Sequence, residues 1–298
     1  MARINRNLTR DRIQASALTF LIWLLKRLPY DLRRRIAGGL AAQAVSRIPA
    51  LRRRIIRNLD YVLPDLDQGR RRQLVRDVGT SFGQTMIETY SAAEFRRSHS
   101  RFIVSGAGLD ALNAAKSTGK GAVLVSGHFG QWEAVRAALF DLGLETGAVY
   151  RPNNNIFYDI GFLSAIRQMG EPILPNTPAG TRAMIRHVGN GGRIAMLIDQ
   201  HIGGMPMLNF FGKPARTAIF AAELALKFDL PLIACYGIRR PAGRLIDVVL
   251  EAPVPRADAL TMTQHLNDSL EARIREHPGQ WYWLHQRWKP KRARANQG

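Results

Sequence analysis

The chain has 298 residues, 46% of them hydrophobic, which is enough for a sizeable core and excludes intrinsic disorder for most of its length. Its formal net charge is +20, and the excess is concentrated at the ends: residues 1–76 carry 18 basic and 5 acidic side chains, and residues 287–298 carry 5 basic and none acidic. The stretch between them is close to neutral. The chain therefore has an ordinary globular body and two basic arms suited to a polyanionic surface, such as an anionic membrane or nucleic acid.

The single cysteine, Cys235, excludes a disulfide framework and any cysteine-based zinc site, and it indicates a reducing compartment. It lies in the apolar run 230–236. We expect a buried structural thiol there.

The first predicted element is an apolar run of 11 residues at 15–25, ended by Lys26 and Arg27. This run is shorter than the roughly 18 residues that span a bilayer, and no small-residue cleavage site of a signal peptide follows it. Residues 31–48 and 51–63 then alternate arginines with aliphatic residues at helical spacing, as amphipathic helices in a headgroup layer do. The few aromatic residues favour a membrane surface over nucleic acid. The alternative is that the arginines only solvate ordinary helices.

From about residue 77, strands and helices alternate without a linker, so we predict a membrane-associating helical segment over 1–76 and one α/β domain over 77–298. The alternation predicts a mixed, largely parallel sheet flanked by helices. The predicted strands lie at 121–126, 146–150, 172–174, 193–198, 230–238 and 245–250, and the predicted helices at 134–142, 179–188, 217–228 and 261–276. Ligands of such sheets gather at the carboxyl ends of strands, where His128, Arg151 and Asp199 all fall.

His128 and Glu133 form an H-x4-E pair directly after the strand at 121–126. On a continuous helix this spacing separates two side chains by about 140°, but Gly127 and Gly130 permit a strand-to-helix turn from which Glu133 can reach one imidazole nitrogen. The other nitrogen can then act as a general base toward an attacking alcohol. A helix-capping histidine beside a solvated glutamate is the alternative.

Other catalytic patterns are incomplete. No G-x-S-x-G elbow surrounds Ser126, so direct transfer from a bound donor to a bound alcohol fits better than a covalent serine intermediate. Residues 106–111 imitate a dinucleotide fingerprint but lack the acid that should follow a second strand. The remaining histidines show no paired ligand spacing, so no metal site is expected.

Five motifs in a fixed order resemble those of the bacterial lipid A biosynthesis acyltransferases, the late lauroyl and myristoyl transferases of the wider lysophospholipid acyltransferase superfamily. They lie at residues 127–133, 150–154, 199–200, 210–217 and 280–289. With the arginine-rich start, the resemblance covers nearly the whole chain. The apolar run at 15–25 is shorter than the usual anchor helix of such enzymes, so we expect peripheral or monotopic attachment.

The resemblance implies an O-acyltransferase that moves a fatty acyl chain from acyl carrier protein (acyl-ACP), or sometimes from coenzyme A, to a hydroxyl of a lipid A precursor of the Kdo-lipid IVA type. No metal or other cofactor is implied. His128 would be the general base and Glu133 its orienting partner. The residues expected to bind substrate or stabilise the oxyanion are Arg151, Asp199, Gln200, Lys213, Arg216 and Thr217. Trp281, Tyr282 and Trp283 fit core residues or interfacial anchors as well as they fit substrate-binding residues.

The expected partners are acyl carrier protein, an anionic membrane glycolipid and the cytoplasmic side of the inner membrane, with no nucleic acid. Two alternatives remain open. The same chemistry could use a lysophospholipid or an aminolipid as acceptor, or the chain could be a non-catalytic basic protein that coats anionic membrane or nucleic acid. The second alternative assigns no task to His128, Glu133 and Arg151.

Overall fold

The computed structural model describes residues 8–97, 101–241 and 244–288. The positively charged stretches at 1–7 and 289–298 lie outside the described residues. Helices come first in the described part of the chain: α1 (Leu8–Leu25), α2 (Tyr30–Arg47), α3 (Pro49–Val62), α4 (Gln68–Tyr90) and α5 (Ala92–Arg97). The predicted helices at 31–48 and 51–63 are thereby confirmed as α2 and α3.

Helix α1 buries only Ala15 and Leu25 and leaves most of its apolar side chains exposed. In the described part of the chain, no helix has both the length and the apolar content needed to cross a bilayer.

Helices α2 and α4 pack closely because α4 carries glycines at the contact. A Cβ atom on Gly83 would lie 2.5 Å from the carbonyl oxygen of Ala37, and one on Gly79 would lie 2.6 Å from the Cα of Ala42. The predicted domain boundary between residues 76 and 77 falls inside α4, which continues without a break to Tyr90.

The remaining elements form an α/β unit. Its strands are β1 (Phe102–Ser105), β2 (Ala122–Ser126), β3 (Thr146–Tyr150), β4 (Ile173–Pro175), β5 (Arg193–Leu197), β6 (Met207–Phe210), β7 (Lys213–Arg216), β8 (Leu232–Arg239) and β9 (Ile246–Leu250). Its helices are α6 (Gly108–Ser117), α7 (Glu133–Asp141), α8 (Ile156–Arg167), α9 (Pro178–Gly189), α10 (Phe220–Phe228) and α11 (Ala259–Glu276), and a 3₁₀ turn covers Pro278–Gln280.

Seven strands form one sheet in the order β1-β9-β8-β2-β5-β3-β4, and β6 pairs with β7 in a separate antiparallel hairpin. Within the large sheet only the β8–β9 pair is antiparallel. The prediction of a mixed, largely parallel sheet flanked by helices is confirmed.

Strand β2 lies near the middle of this sheet, and all five of its residues are buried. Because successive side chains of a strand point to opposite faces, Val123 and Val125 join one apolar cluster while Ala122 and Leu124 join the other. The thiol of Cys235 on β8 is buried and donates to the carbonyl of Val125. Burial raises the pKa of this thiol to about 12, as expected for a structural cysteine.

Candidate active site

The candidate site is built where two neighbouring parallel strands end at the same level. Ser126 closes β2 opposite Leu197 of β5, and the amide of Ile198 donates to the carbonyl of Ser126 at 3.1 Å. His128 lies two residues after the end of β2, and Asp199 lies two residues after the end of β5. Both therefore lie in adjacent loops at this edge of the sheet. This placement of ligand-binding residues is typical of open α/β sheets.

The imidazole of His128 is held by Asp199. The His128 Nδ1 atom lies 2.8 Å from Asp199 Oδ1, and the His128 backbone N–H donates to Asp199 Oδ2 at 2.8 Å. Since an ionised carboxylate only accepts, His128 carries its proton on Nδ1, which leaves the lone pair on Nε2. The His128 side chain is 20% exposed. It can therefore take a proton at Nε2 from a group that reaches it.

Asp199 is fully buried and satisfied by donors. The indole N–H of Trp281 donates to its Oδ2 atom at 2.8 Å, in addition to the two bonds from His128. Burial alone would raise the pKa of Asp199, but the charge and hydrogen bonds of His128 outweigh it and hold that pKa well below its usual range. Asp199 therefore stays ionised and can stabilise an imidazolium on His128.

The turn that carries His128 is fixed by backbone contacts. Gly130 has φ +58°, and a Cβ atom there would lie 2.0 Å from the carbonyl oxygen of Gly237, so no other residue fits without moving β8. The Gly130 N–H donates to Gln280 O at 2.9 Å, and the hydroxyl of Thr85 on α4 donates to Gly130 O at 2.9 Å. Helix α4 and the segment after α11 therefore clamp the turn from two sides.

A buried ion pair supports the same turn from α4. Glu88 accepts from the side-chain amide of Gln131 at 3.0 Å and receives two bonds of 2.8 Å from the guanidinium of Arg239. The side-chain oxygen of Gln131 in turn accepts from the backbone N–H of Glu133, the first residue of α7. The N-terminal helices thus position the start of α7 as well as His128.

The expected contact between Glu133 and His128 is wrong in this structure. Glu133 is the first residue of α7 and is buried, and its Oε2 atom lies 2.6 Å from Nη1 of Arg136, one helical turn further on. Arg136 also donates to the carbonyls of Thr146, Ile166 and Gly170. Glu133 therefore neutralises a buried arginine that ties β3 and α8 together, and Asp199 occupies the place beside the imidazole.

Gln200, expected to contact substrate, lies between two histidines. Its Nε2 atom is 3.3 Å from Nε2 of His128 and 2.9 Å from Nε2 of His285. The rings of the two histidines approach edge to face, with centroids 4.8 Å apart. Burial is the main cause that lowers the pKa of His285 to about 4. His285 is therefore neutral at physiological pH.

The predicted cationic residues lie after β3 and on the β6–β7 hairpin. Arg151 follows β3 and is exposed. Lys213 on β7 is half-buried, with its ammonium 5.4 Å from the ring centroid of Tyr61 on α3. Arg216, also on β7, is half-buried and donates to the carbonyl of Met205 at 2.6 Å.

Thr217, expected at an acceptor phosphate, is fully buried instead. Its hydroxyl accepts from Arg287 Nη2 at 2.6 Å and from the side-chain amide of Asn267 at 3.2 Å. Arg287 is itself fully buried and also donates to Arg216 O. These contacts make Thr217 part of the support for the β6–β7 hairpin, because its hydroxyl has no face left toward solvent.

The tryptophans at 281 and 283 belong to the core, whereas Tyr282 faces the site. Trp281 and Trp283 are 1% and 0% exposed. The ring of Tyr282 contacts those of Phe82 and His285 at centroid distances of 4.8 and 4.6 Å, and its backbone N–H donates to His128 O at 2.9 Å. A small cleft beside His128 is lined by this tyrosine and by Val78, Ser81, Phe82 and Trp132.

Three residues that form the site were missed as such by the sequence reasoning. Trp281 binds Asp199, His285 binds Gln200, and Asn58 of α3 donates to the carbonyls of Trp283 and His285 at 2.7 and 2.6 Å. The signal for Trp281 and His285 was present, because residues 280–289 form one of the ordered motifs. Within residues 8–97, 101–241 and 244–288, no cluster of three or more metal-ligating side chains occurs.

Comparison with known proteins agrees with this architecture. The family described as bacterial lipid A biosynthesis acyltransferase matches residues 4–290. The lipid A biosynthesis lauroyltransferase of Escherichia coli (strain K12) is 24% identical over 277 residues, 90% of this chain and 89% of its own length. The phosphatidylinositol mannoside acyltransferase of Mycobacterium tuberculosis (strain CDC 1551 / Oshkosh) is 26% identical over 187 residues, 61% of this chain and 58% of its own.

A third relative is the lipid A biosynthesis acyltransferase of Haemophilus influenzae (strain ATCC 51907 / DSM 11121 / KW20 / Rd), 22% identical over 270 residues, 89% of this chain and 84% of its own length. The resemblance drawn from the five motifs is confirmed. This chain belongs to the bacterial lipid A biosynthesis acyltransferase family and is an acyltransferase of lipid A or glycolipid acylation.

Proposed function

We propose that this enzyme transfers a fatty acyl chain from acyl-ACP to a hydroxyl of a lipid A precursor of the Kdo-lipid IVA type, while bound peripherally to the cytoplasmic side of the inner membrane. One observation carries the proposal: the Nδ1 atom of His128 is bound to a buried, ionised Asp199, while Nε2 bears the lone pair on a partly exposed ring.

The reaction follows from that geometry. Nε2 of His128 takes the proton of the acceptor hydroxyl as its oxygen attacks the thioester carbonyl, and a C–O bond forms. Asp199 stabilises the imidazolium, a contribution that general-base catalysis needs at neutral pH. The tetrahedral intermediate then expels the thiolate as the C–S bond breaks, and the thiolate takes the proton from Nε2. An ester and a free thiol leave, and His128 returns to its starting state.

The negative charge that develops on the carbonyl oxygen needs a donor or a cation. Arg151 is our candidate because it is exposed at the carboxyl end of β3, beside β5 in the sheet. A preorganised cation or hydrogen-bond donor at that oxygen contributes about 3 kcal/mol to transition-state stabilisation. Lys213 and Arg216 on the β6–β7 hairpin are our candidates for acceptor phosphates.

An acidic donor protein fits the surface of α3. The exposed side of this helix carries four arginines, and no acidic side chain within the described residues pairs with them: Arg52, Arg53, Arg54 and Arg57. This surface adjoins the site, because Arg54 opposes the rise in pKa that burial gives Tyr282. Electrostatic steering toward such a patch accelerates the encounter with an acidic partner and weakens as salt is added.

A lipid surface fits the exposed side of α1. Ile13, Phe20 and Trp23 lie within one helical stripe and are 64%, 62% and 50% exposed, whereas the buried Leu25 lies on the opposite side. The guanidinium of Arg27 stacks over the Trp23 ring at 4.6 Å from its centroid. Apolar residues with adjoining cations are what an interfacial helix presents to anionic lipid.

The test is mass spectrometry of lipids after incubation of the membrane-bound enzyme with acyl donor and acceptor. Donor arms use acyl-ACP and acyl-CoA, and acceptor arms use a lipid A precursor, a lysophospholipid and an aminolipid. We expect one added acyl mass on the lipid A precursor with acyl-ACP. The His128→Ala variant should give none, and the matched His265→Ala variant, altered at an exposed position on α11, should match the unmodified enzyme.

An added mass on another acceptor alone would overturn the proposed acceptor and leave the chemistry in place. Transfer by folded His128→Ala at the rate of the unmodified enzyme would overturn the proposed base.

A further inference from the structure

A single amide nitrogen joins the proposed base to a second histidine. Nε2 of Gln200 lies 3.3 Å from Nε2 of His128 and 2.9 Å from Nε2 of His285. A primary amide has two N–H bonds, so it can donate to both imidazoles at once. This arrangement is satisfied only if both Nε2 atoms carry lone pairs.

The other contacts agree with that assignment. The Nδ1 atom of His128 donates to Asp199 at 2.8 Å, so its proton resides there. His285 is neutral, because burial lowers its pKa to about 4. As an acceptor at Nε2, a neutral His285 must hold its proton on Nδ1. The two histidines thus share one tautomer in the resting enzyme.

Protonation of His128 disturbs this arrangement. A proton on its Nε2 atom would face the N–H of Gln200, donor against donor. If the amide turned to offer its oxygen, that oxygen would face the lone pair on Nε2 of His285. Relief would then require His285 to move its proton from Nδ1 to Nε2. The resting network therefore opposes protonation of His128 from solvent.

We propose that Gln200 and His285 are positioning residues that keep the Nε2 atom of His128 unprotonated between turnovers and so extend acyl transfer to lower pH. This inference rests on the proposed function, since it takes His128 as the base. Asn58 of α3 supports the arrangement by binding the backbone carbonyl of His285 at 2.6 Å.

The charged and titratable groups described near the pair come from several elements. Asp199 faces His128 from the end of β5, and Tyr282 contacts both rings from the C-terminal segment. Arg54 of α3 acts on Tyr282, and Arg287 acts on Asp199. The variants below leave these four side chains unchanged.

The first measurement needs no variant near the base. The full-length protein labelled with ¹⁵N in histidine gives two-bond ¹H–¹⁵N spectra that distinguish the two neutral tautomers and the imidazolium. We expect neutral His285 and neutral His128 both to carry the proton on Nδ1. The resonances of His285 are assigned from the His285→Phe variant, which keeps a ring against Tyr282 but has no acceptor. A proton on Nε2 of either neutral ring would overturn the proposal.

The second measurement is the pH dependence of kcat/KM for acyl transfer by four variants. In Gln200→Glu a carboxylate replaces the amide donor. The acid limb, the low-pH side of the profile where kcat/KM falls, should then move to higher pH by about one unit or more. In His285→Phe the amide is free to turn, and the limb should rise by about half to one unit, the effect of one hydrogen bond. His285→Gln retains an acceptor and should restore the limb, and His265→Gln is the exposed control.

An acid limb at the same pH in Gln200→Glu, His285→Phe and the unmodified enzyme would overturn the proposal, because a merely structural role changes the rate without moving the limb. Failure of the proposed function gives a different result, namely undiminished acyl transfer by His128→Ala. The tautomer spectra would still show whether the Gln200 amide donates to both histidines.

Discussion

The Nδ1 atom of His128 and the Oδ1 atom of Asp199 lie 2.8 Å apart although 71 residues separate them in the chain. They meet because β2 and β5 are neighbours in register, with Ser126 opposite Leu197. The pair therefore depends on the sheet topology rather than on a local turn. Its energetic support is also distant in sequence, since Trp281 supplies the third hydrogen bond to Asp199.

We expect Asp199→Asn to lower kcat by about 10²–10⁴-fold. Two N–H groups, of Trp281 and of the His128 backbone, donate to Oδ2, so the amide nitrogen of asparagine would settle at the other position, facing Nδ1 of His128. That contact forces the proton of His128 onto Nε2 and removes the base. Steady-state kinetics with acyl donor and acceptor measure the loss.

The matched control for this variant is Asp268→Asn, because Asp268 is exposed on α11. Its kcat should equal that of the unmodified enzyme, and denaturant unfolding should show that Asp199→Asn is folded. If Asp199→Asn, shown to be folded, kept the activity of the control, the carboxylate would have no role in the reaction.

Glu133→Ala should mainly reduce stability. The carboxylate is the counterion of Arg136, whose side chain is buried, and removing one partner of a buried pair costs about 3–5 kcal/mol of unfolding free energy. kcat per folded molecule should fall far less than in Asp199→Asn. Urea unfolding followed by activity corrected for the folded fraction separates the two effects.

A second substitution sharpens this test. Combining Glu133→Ala with Arg136→Met removes the unpaired charge and should recover much of the lost stability. A Glu133→Ala enzyme that unfolds like the unmodified protein but has the kcat of Asp199→Asn would instead place Glu133 in the chemistry.

Periodicity and composition predicted the sheet well because its central strands are continuous buried runs. Residues 122–126 and 232–239 are buried throughout and read as apolar segments of strand length. The β6–β7 hairpin was not predicted, because its strands at 207–210 and 213–216 have only four residues each and pair only with each other. Helix α4 was not predicted either, since its buried side includes polar residues such as Thr85 and Glu88.

The sequence identified several residues of the candidate site but not which of them contact each other. Sequence order suggested Glu133 as the partner of His128 because the two are close in the chain. It could not show that the register of β2 and β5 brings Asp199 closer. Thr217 illustrates the same limit. As a polar residue in a motif with Arg216 it was expected to bind substrate, but its hydroxyl accepts a hydrogen bond from the buried Arg287.

Stability should fall as the pH falls from about 6.5 toward 4. His285 has a pKa of about 4 in the folded protein against 6.5 in an unfolded chain, so below pH 6.5 the unfolded state binds a proton that the folded state does not. The full effect is roughly 3 kcal/mol. The depressed pKa of Asp199 lowers stability mainly below about pH 4, where the unfolded carboxyl binds most of its protons. Urea unfolding at several pH values measures the slope, which should flatten in His285→Phe.

Asn58→Leu should lower the free energy of unfolding by about 2–4 kcal/mol. Asn58 is 4% exposed, and its amide is the donor for the carbonyls of Trp283 and His285, which would be left without it. The matched control is Asn113→Leu at an exposed position on α6, where a change within about 0.5 kcal/mol is expected. Equal midpoints for the two variants would mean that α3 does not support the C-terminal segment.

Replacing the exposed apolar stripe of α1 should weaken membrane binding without unfolding the protein. Ile13, Phe20 and Trp23 are at least half exposed, so their change to serine removes few internal contacts. Each such side chain gains about 1.5–3 kcal/mol when it leaves water for an apolar layer, and the triple variant should bind anionic vesicles at least tenfold more weakly. Vesicle flotation measures the bound fraction, and the control variants Leu142→Ser and Leu260→Ser remove comparably exposed leucines at other positions. Equal flotation of the triple variant and the two controls would exclude α1 as the lipid-binding surface.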